Sequence, residues 1–289
     1  MPRILIGLAV FAALLMSTEP SSYNDSILAW QKHRDAGLRS AKGWLTLVGL
    51  FWLKPGDNTI GSAPNNDFVL PKNAPAQIGR LHFADGKVTL VNSAGQQKNL
   101  SFDEDKPDVV EAGSISFFVI KRGERFGVRA KDSASPALKN FTGMSYFPVN
   151  PAMRFAAKLI PDVKKIPILN VLGQTEMEES PGLVEFTHDG QSYTLRPIYE
   201  EGASGKTLYF LFKDLTNKTQ TYPAGRMLNV PLPVNGKVDL DFNRAYNPPC
   251  TFTPYATCPL PPKENHLPFA VTAGELRYKD GHPYETSSN

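Results

Sequence analysis

Two stretches in the second half of the chain concentrate residues able to do chemistry. The first reads F-K-D-L-T-N-K-T-Q-T-Y-P-A-G-R and sets Asp214 and Thr216 near Tyr222 and Arg226. The second runs from Asp239 to Glu275 and carries Asp241, Asn243, Arg244, Tyr246, Asn247, Glu264, Asn265 and Glu275. Arg226, directly after Gly225, can present a planar fork to a carboxylate or a phosphate. Two carboxylates flanking one cleft at about 6–9 Å would support acid–base hydrolysis, and Asp241, Glu264 and Glu275 are the carboxylates at hand. The competing reading is architectural. A buried charge needs a partner, so Arg226 pins a loop to Asp214 or Glu264, and Asn247 before Pro248 opens a turn. The candidate polar site is therefore Asp214, Arg226, Asp241, Asn243, Tyr246, Asn247, Glu264, Asn265 and Glu275, with no residue assigned as catalytic.

Other chemistries have weaker handles. His33, His82, His188, His266 and His282 are scattered, with no H-x-H or H-E-x-x-H spacing, so zinc is unsupported. Asp239, Asp241 and Asn243 share one face of a strand, but D-x-D-x-N lacks the glycine and distal glutamate of a calcium loop. There is no G-x-S-x-G elbow, no S-x-x-K and no phosphate-binding glycine loop. No metal and no cofactor are expected. A net charge of +3, without a lysine–arginine run, argues against nucleic acid as a partner. Lys121–Arg122 and Lys164–Lys165 read as solvated strand ends or turns.

Arg3 precedes an apolar run from Ile4 to Met16, followed by Ser17 and Thr18. Thirteen helical residues cover only about 20 Å, short of a bilayer core of about 30 Å. Residues 1–18 therefore read as a signal peptide, the alternative being a short uncleaved anchor. Secretion or a periplasmic location follows, with no integral span once the signal is removed. In such a compartment Cys250 and Cys258, the only two cysteines, can form a disulfide. Their C-x7-C spacing does not suit a redox pair.

These residues must be positioned by a mainly β fold. Twenty-five prolines and 22 glycines punctuate the chain, and proline excludes long helices. One helix is expected over Ser22–Ser40, capped by Asn24 or Asp25, with Ile27, Leu28, Trp30, Ala36 and Leu38 inward and His33 and Arg34 mostly outward. Gly43–Leu53, broken by Gly49, reads as two buried strands or as a strand and a bend, with Trp44 and Trp52 in the core. Pro55–Asn58 reads as a turn. Hairpins are expected around Asp85-Gly86, Gly123 and Asp189-Gly190. Further strands are expected over Ser145–Val149, Met153–Leu159, Ile166–Leu172, Gly182–Thr187, Ser192–Ile198, Thr207–Phe212, Thr221–Met227 and Lys237–Phe242. The expectation is antiparallel sandwich or barrel-like sheets with one N-terminal helix and a proline-rich C-terminal loop. Residues 22–135 would form one β-rich part and residues 141–289 a second.

Two resemblances follow. G-D-N-T-I-G-S-A-P-N-N-D-F-V-L-P and the later D-G-K-V-T-L-V-N resemble the opening of a forkhead-associated domain over residues 56–92. Ser62 stands where that family has its phosphate-binding arginine, so none of its binding residues carries over. The segments D-L-D-F-N-R-A-Y-N-P-P-C, C-P-L-P-P-K-E-N-H-L-P and A-G-E, with G-W-L-T-L-V-G-L-F-W-L nearer the start, resemble the bacterial and archaeal domain-of-unknown-function family 1684. That resemblance spans about Trp30 to Glu275 and implies no particular chemistry. The reading is of an exported, non-catalytic protein that binds a small ligand or an envelope component, with a carboxylate-dependent hydrolase as the alternative.

Overall fold

A computed structural model describes residues 22–103, 106–202, 205–279 and 281. The apolar run at Ile4–Met16, and with it the expected signal peptide, lies outside the described residues, as does His282. No helix among the described residues is long and apolar enough to cross a membrane.

The chain enters through helix α1 (Tyr23–Arg39), capped by Ser22 rather than by Asn24 or Asp25. The Ser22 hydroxyl accepts from the Asp25 amide, and the Asp25 carboxylate reaches back to the Ser22 amide. This reciprocal pair satisfies two otherwise free donors. Ile27 and Leu38 are buried, whereas Leu28 and Ala36 face solvent. A 3-10 turn at Trp44–Thr46 leads into β1 (Leu47–Trp52). There follow β2 (Gly56–Gly61), β3 (Phe68–Val69), β4 (Gly79–Ala84), β5 (Lys87–Asn92), β6 (Gln97–Asn99), β7 (Val110–Ala112), β8 (Ile115–Arg122) and β9 (Arg125–Asp132). They make two sheets, ordered β3-β2-β4-β5-β6 and β1-β9-β8-β7. Ile60, Leu81, Phe117, Val119 and Val128 fill the core between them. The turn expected at Pro55–Asn58 is instead the start of β2, and β2 pairs with β3 in parallel. Asn58 explains the difference. It is buried, and its amide donates to the Lys54 and Leu81 carbonyls, closing the turn from inside the strand.

After a single-turn helix α2 (Pro136–Asn140) come β10 (Arg154–Leu169), β11 (Thr175–His188), β12 (Gln191–Leu195), β13 (Ile198–Gly202), β14 (Gly205–Phe212), β15 (Arg226–Pro231) and β16 (Lys237–Asp241). These form sheets ordered β12-β11-β10-β16 and β13-β14-β15. The aromatic run of β14 packs Leu208, Phe210 and Phe212 against Phe155, Phe186 and Phe242. Met153–Leu159 and Ile166–Leu172 prove to be parts of one strand, β10. The register slips between Pro161 and Lys164, where proline has no amide to give. Ser145–Val149 is not a strand: only Tyr146 bridges, to Glu275. The strand expected at Thr221–Met227 begins at Arg226, because Asp214 and Asn217 fold the preceding residues into a capped 3-10 turn.

The hairpin turns follow their residues. Asp85-Gly86 and Asp189-Gly190 all take positive φ, as a type I′ turn requires. From Phe242 to Glu275 there is no strand, only 3-10 turns at Phe242–Arg244, Pro249–Thr251 and Lys263–Asn265. The fold is thus mainly β, antiparallel apart from β2–β3, with no closed barrel.

Cys250 and Cys258 are joined in a disulfide, their Cα atoms 6.2 Å apart. A loop this short removes about 2–3 kcal/mol of unfolded-chain entropy. The Cys250→Ser/Cys258→Ser variant is therefore expected to unfold at lower urea, with stability reduced by about that amount. Equal midpoints for oxidised wild type and variant would show that the bridge constrains nothing.

Candidate functional site

Arg226 is wholly buried and is held where its strand begins. Nη2 donates to Asp214 Oδ2 at 2.8 Å and to the Val271 carbonyl at 2.8 Å, and Nη1 donates to the Ala273 carbonyl at 2.5 Å. Burial works against the guanidinium charge, and Asp214 only partly restores it. Of the two sequence alternatives, the loop pin with Asp214 describes the contacts. Glu264 instead pairs with Arg196, which also binds Asp162 at 2.6 Å. Asn265 is buried and mimics backbone: it accepts from the Arg196 amide and donates to the Arg196 and Leu211 carbonyls.

The other candidate residues fall into two further networks. Asp241 accepts from the Tyr23 hydroxyl at 3.0 Å and from the Asn243 amide, which ties α1 to the end of β16. Burial and the Asp241 carboxylate together push the Tyr23 phenol well up. Glu275, wholly buried, accepts from Arg34 Nε at 2.9 Å and from the Asn247 amide at 2.7 Å. Burial opposes the Arg34 charge, but Glu275 outweighs it and holds the proton more tightly than usual. Asp241, Glu264 and Glu275 thus each have different partners.

Of the candidate residues, Arg226 borders only a void of about 10 Å³, while Tyr246 lines a cavity of useful size. That cavity measures about 370 Å³ and is bounded by Arg34, Trp44, Arg122, Arg129, Glu200, Tyr209 and the Cys250–Cys258 loop among others. Its size suits a small ligand. The pleat explains who faces it. On β14, Leu208, Phe210 and Phe212 point to the aromatic core, so Tyr209 and Leu211 point the other way. Their cross-strand partners Ile198 and Asn229 share that face, as does Glu200, two residues beyond Ile198. From the N-terminal sheets, Val128 and Ala130 face their own core, so Arg129 projects from the opposite face of β9. Arg122 ends β8 at the Gly123 turn.

Thr257, held between the prolines and the disulfide, is the meeting point of these elements. Its hydroxyl accepts from Arg122 Nε and from Arg129 Nη2, each at 3.4 Å. Arg34 lies over the Tyr246 ring at 4.7 Å and Arg129 over Trp44 at 5.5 Å. Such cation–π contacts orient guanidinium groups without neutralising them. Opposite stands a chain of polar groups: the Tyr246 hydroxyl donates to Asn229 Oδ1 at 2.5 Å, and Asn229 Nδ2 donates to Glu200. Burial raises the Glu200 carboxyl above its usual range, and the Asn229 bond only partly offsets this. Burial also pushes the phenols of Tyr209 and Tyr246 well up. Among the described residues no group of three His, Cys, Asp or Glu side chains could hold a metal ion.

Arg34, Arg122, Arg129, Glu200, Tyr209 and Thr257 were not singled out from sequence. Arg34, expected on the outer face of α1, is instead bound to the buried Glu275. Trp44, expected in the core, is half-buried and forms cavity wall. The available signals are weak: one arginine at a hairpin turn, another in mid-strand, and a threonine beside a cysteine.

Residues 139–276 match the family described as "Protein of unknown function (DUF1684)". The match begins at Lys139, so it does not reach the earlier segments of the sequence resemblance. The forkhead-associated likeness at residues 56–92 is not borne out, and the Ser62 hydroxyl there is engaged by the Ala74 carbonyl. Among solved structures, the solution structure of an uncharacterized protein from Haloarcula marismortui is 30% identical. The similarity covers 48% of this chain and 78% of that one, with a TM-score of 0.38. Comparison with curated proteins finds no match.

Proposed function

We propose that this is an exported, non-catalytic binding protein whose cavity takes a small anionic ligand bearing a carboxylate or a phosphate. The observation that carries the reading is the convergence of Arg34, Arg122 and Arg129 on one cavity from α1, β8 and β9. Guanidinium groups in a partly dehydrated, aromatic-walled site favour planar or tetrahedral oxyanions. Export is supported by the apolar leader and by the disulfide, which persists in oxidising compartments. Asp241, Glu264 and Glu275 are each engaged by other side chains, which leaves the hydrolase alternative without its acid–base pair.

The test is a thermal-shift and calorimetric screen of the full chain with inorganic phosphate, acetate and citrate. A ligand at a hundredfold its Kd adds about 2.7 kcal/mol, which raises Tm by roughly 5–10 °C for a chain of this size. The Arg122→Gln/Thr257→Val variant is expected to bind at least tenfold more weakly. Absence of any shift, or equal shifts in wild type and variant, would sink the reading.

A further inference from the structure

The arginine-lined cavity does not stand alone. A second cavity of about 410 Å³ adjoins it, and the two share Arg122, Glu200, Tyr209, Thr257 and Pro259 as lining. The second chamber has the opposite character. Glu176 and Glu178 project into it from one face of β11, opposite Ile168 and Ile166 of β10, and Glu200 and Glu201 come from β13. The shared wall holds polar groups with unused capacity. Tyr209 is only 8% exposed, lines both chambers, and its hydroxyl makes no hydrogen bond among the described residues. Glu200 has one oxygen held by Asn229, while its second oxygen has no such bond.

Resting on the anion-binding reading, we propose that the ligand is dipolar, its anionic group against Arg129 and Thr257 and its protonated amine against Glu200 and Glu176. A buried carboxylate without a cation is costly, and an ammonium group supplies the missing counter-charge. The raised carboxyl of Glu200 has this origin: burial is its main cause, and among the described residues its side-chain hydrogen-bond partner is a neutral amide. The Tyr209 hydroxyl, lying between the chambers, gains an acceptor from the anionic end of the same molecule. A simple anion fills one chamber and leaves Glu200 without a counter-charge, whereas a dipolar molecule answers both.

Matched probes test this by calorimetry on the full chain: phosphoethanolamine against ethyl phosphate, and γ-aminobutyrate against butyrate. The amine-bearing member of at least one pair is expected to bind at least tenfold tighter. In Glu200→Gln and in Glu176→Gln that advantage should fall to within about twofold, because the amine loses its carboxylate partner. Because Glu176 is partly exposed, its variant keeps the test valid should Glu200→Gln fail to fold. Equal binding within both pairs overturns the dipolar assignment and leaves the anion site standing. Failure of all four probes, together with inorganic phosphate, overturns both. Co-sedimentation with phosphatidylethanolamine vesicles then identifies the source: retention assigns a lipid headgroup, and binding of soluble probes without retention assigns a free molecule.

Discussion

Arg226→Met is expected to lower the unfolding free energy by about 3–5 kcal/mol, because it strands Asp214 as an uncompensated buried charge. Both side chains are 0% exposed, so water cannot take over. The carbonyls of Val271 and Ala273 lose their donor in the same step, and each unsatisfied buried group adds its own cost. For a chain of this length a loss of this size lowers Tm by roughly 10 °C or more. Denaturant titration with circular dichroism measures it. The Arg226→Met/Asp214→Asn double variant should recover a good part of the loss, since neither charge is then left alone. A double variant no more stable than the single one would place the cost in lost packing rather than in stranded charge.

Arg34→Met should have the second largest effect, of about 3 kcal/mol, for a related reason. Glu275 is buried completely, and Arg34 is the cation that its carboxylate pairs with among the described residues. The variant also releases the Asn247 carbonyl, to which Arg34 Nη2 donates at 3.1 Å. Helix α1 is otherwise tied down through Tyr23 to Asp241, Arg39 to the Phe141 carbonyl and Asp35 to the Met144 amide. Limited proteolysis is therefore expected to cut within residues 22–40 of the variant while the sheets survive. Adding Glu275→Gln should restore stability, since the stranded carboxylate is gone. It should not restore anion binding, since the guanidinium at the cavity is still missing. Recovery of both properties would show that Arg34 serves the site only through the fold.

The two effects differ in what a reader of the sequence could see. Arg226 pairs with Asp214 twelve residues away, within one compact motif, and the pairing was foreseeable as one of two options. Arg34 pairs with Glu275 across nearly the whole chain, and on the helix it looks like an ordinary outward arginine. Pro161 falls in the gap between two expected strands, yet one strand runs through it, because a bulge absorbs the proline. Asn58, in a Pro-Gly-Asp-Asn run, reads as part of a turn and is a buried plug at the start of β2.

What the sequence determined by itself was local. Asp-Gly pairs set the hairpins, since only certain residues tolerate positive φ. Alternating apolar residues set which face of each strand is buried, and the two cysteines, if oxidised, had only one pairing. What only the tertiary structure decided was which polar residues meet. Arg34, Arg129, Tyr209 and Thr257 come from a helix, two sheets and an irregular loop, and each is unremarkable among its neighbours. The cavity exists because strand pleat sends one face of β14 and one face of β9 away from their own cores, toward the same gap. That gap is set by how the sheets pack, and packing depends on contacts between residues far apart in the chain.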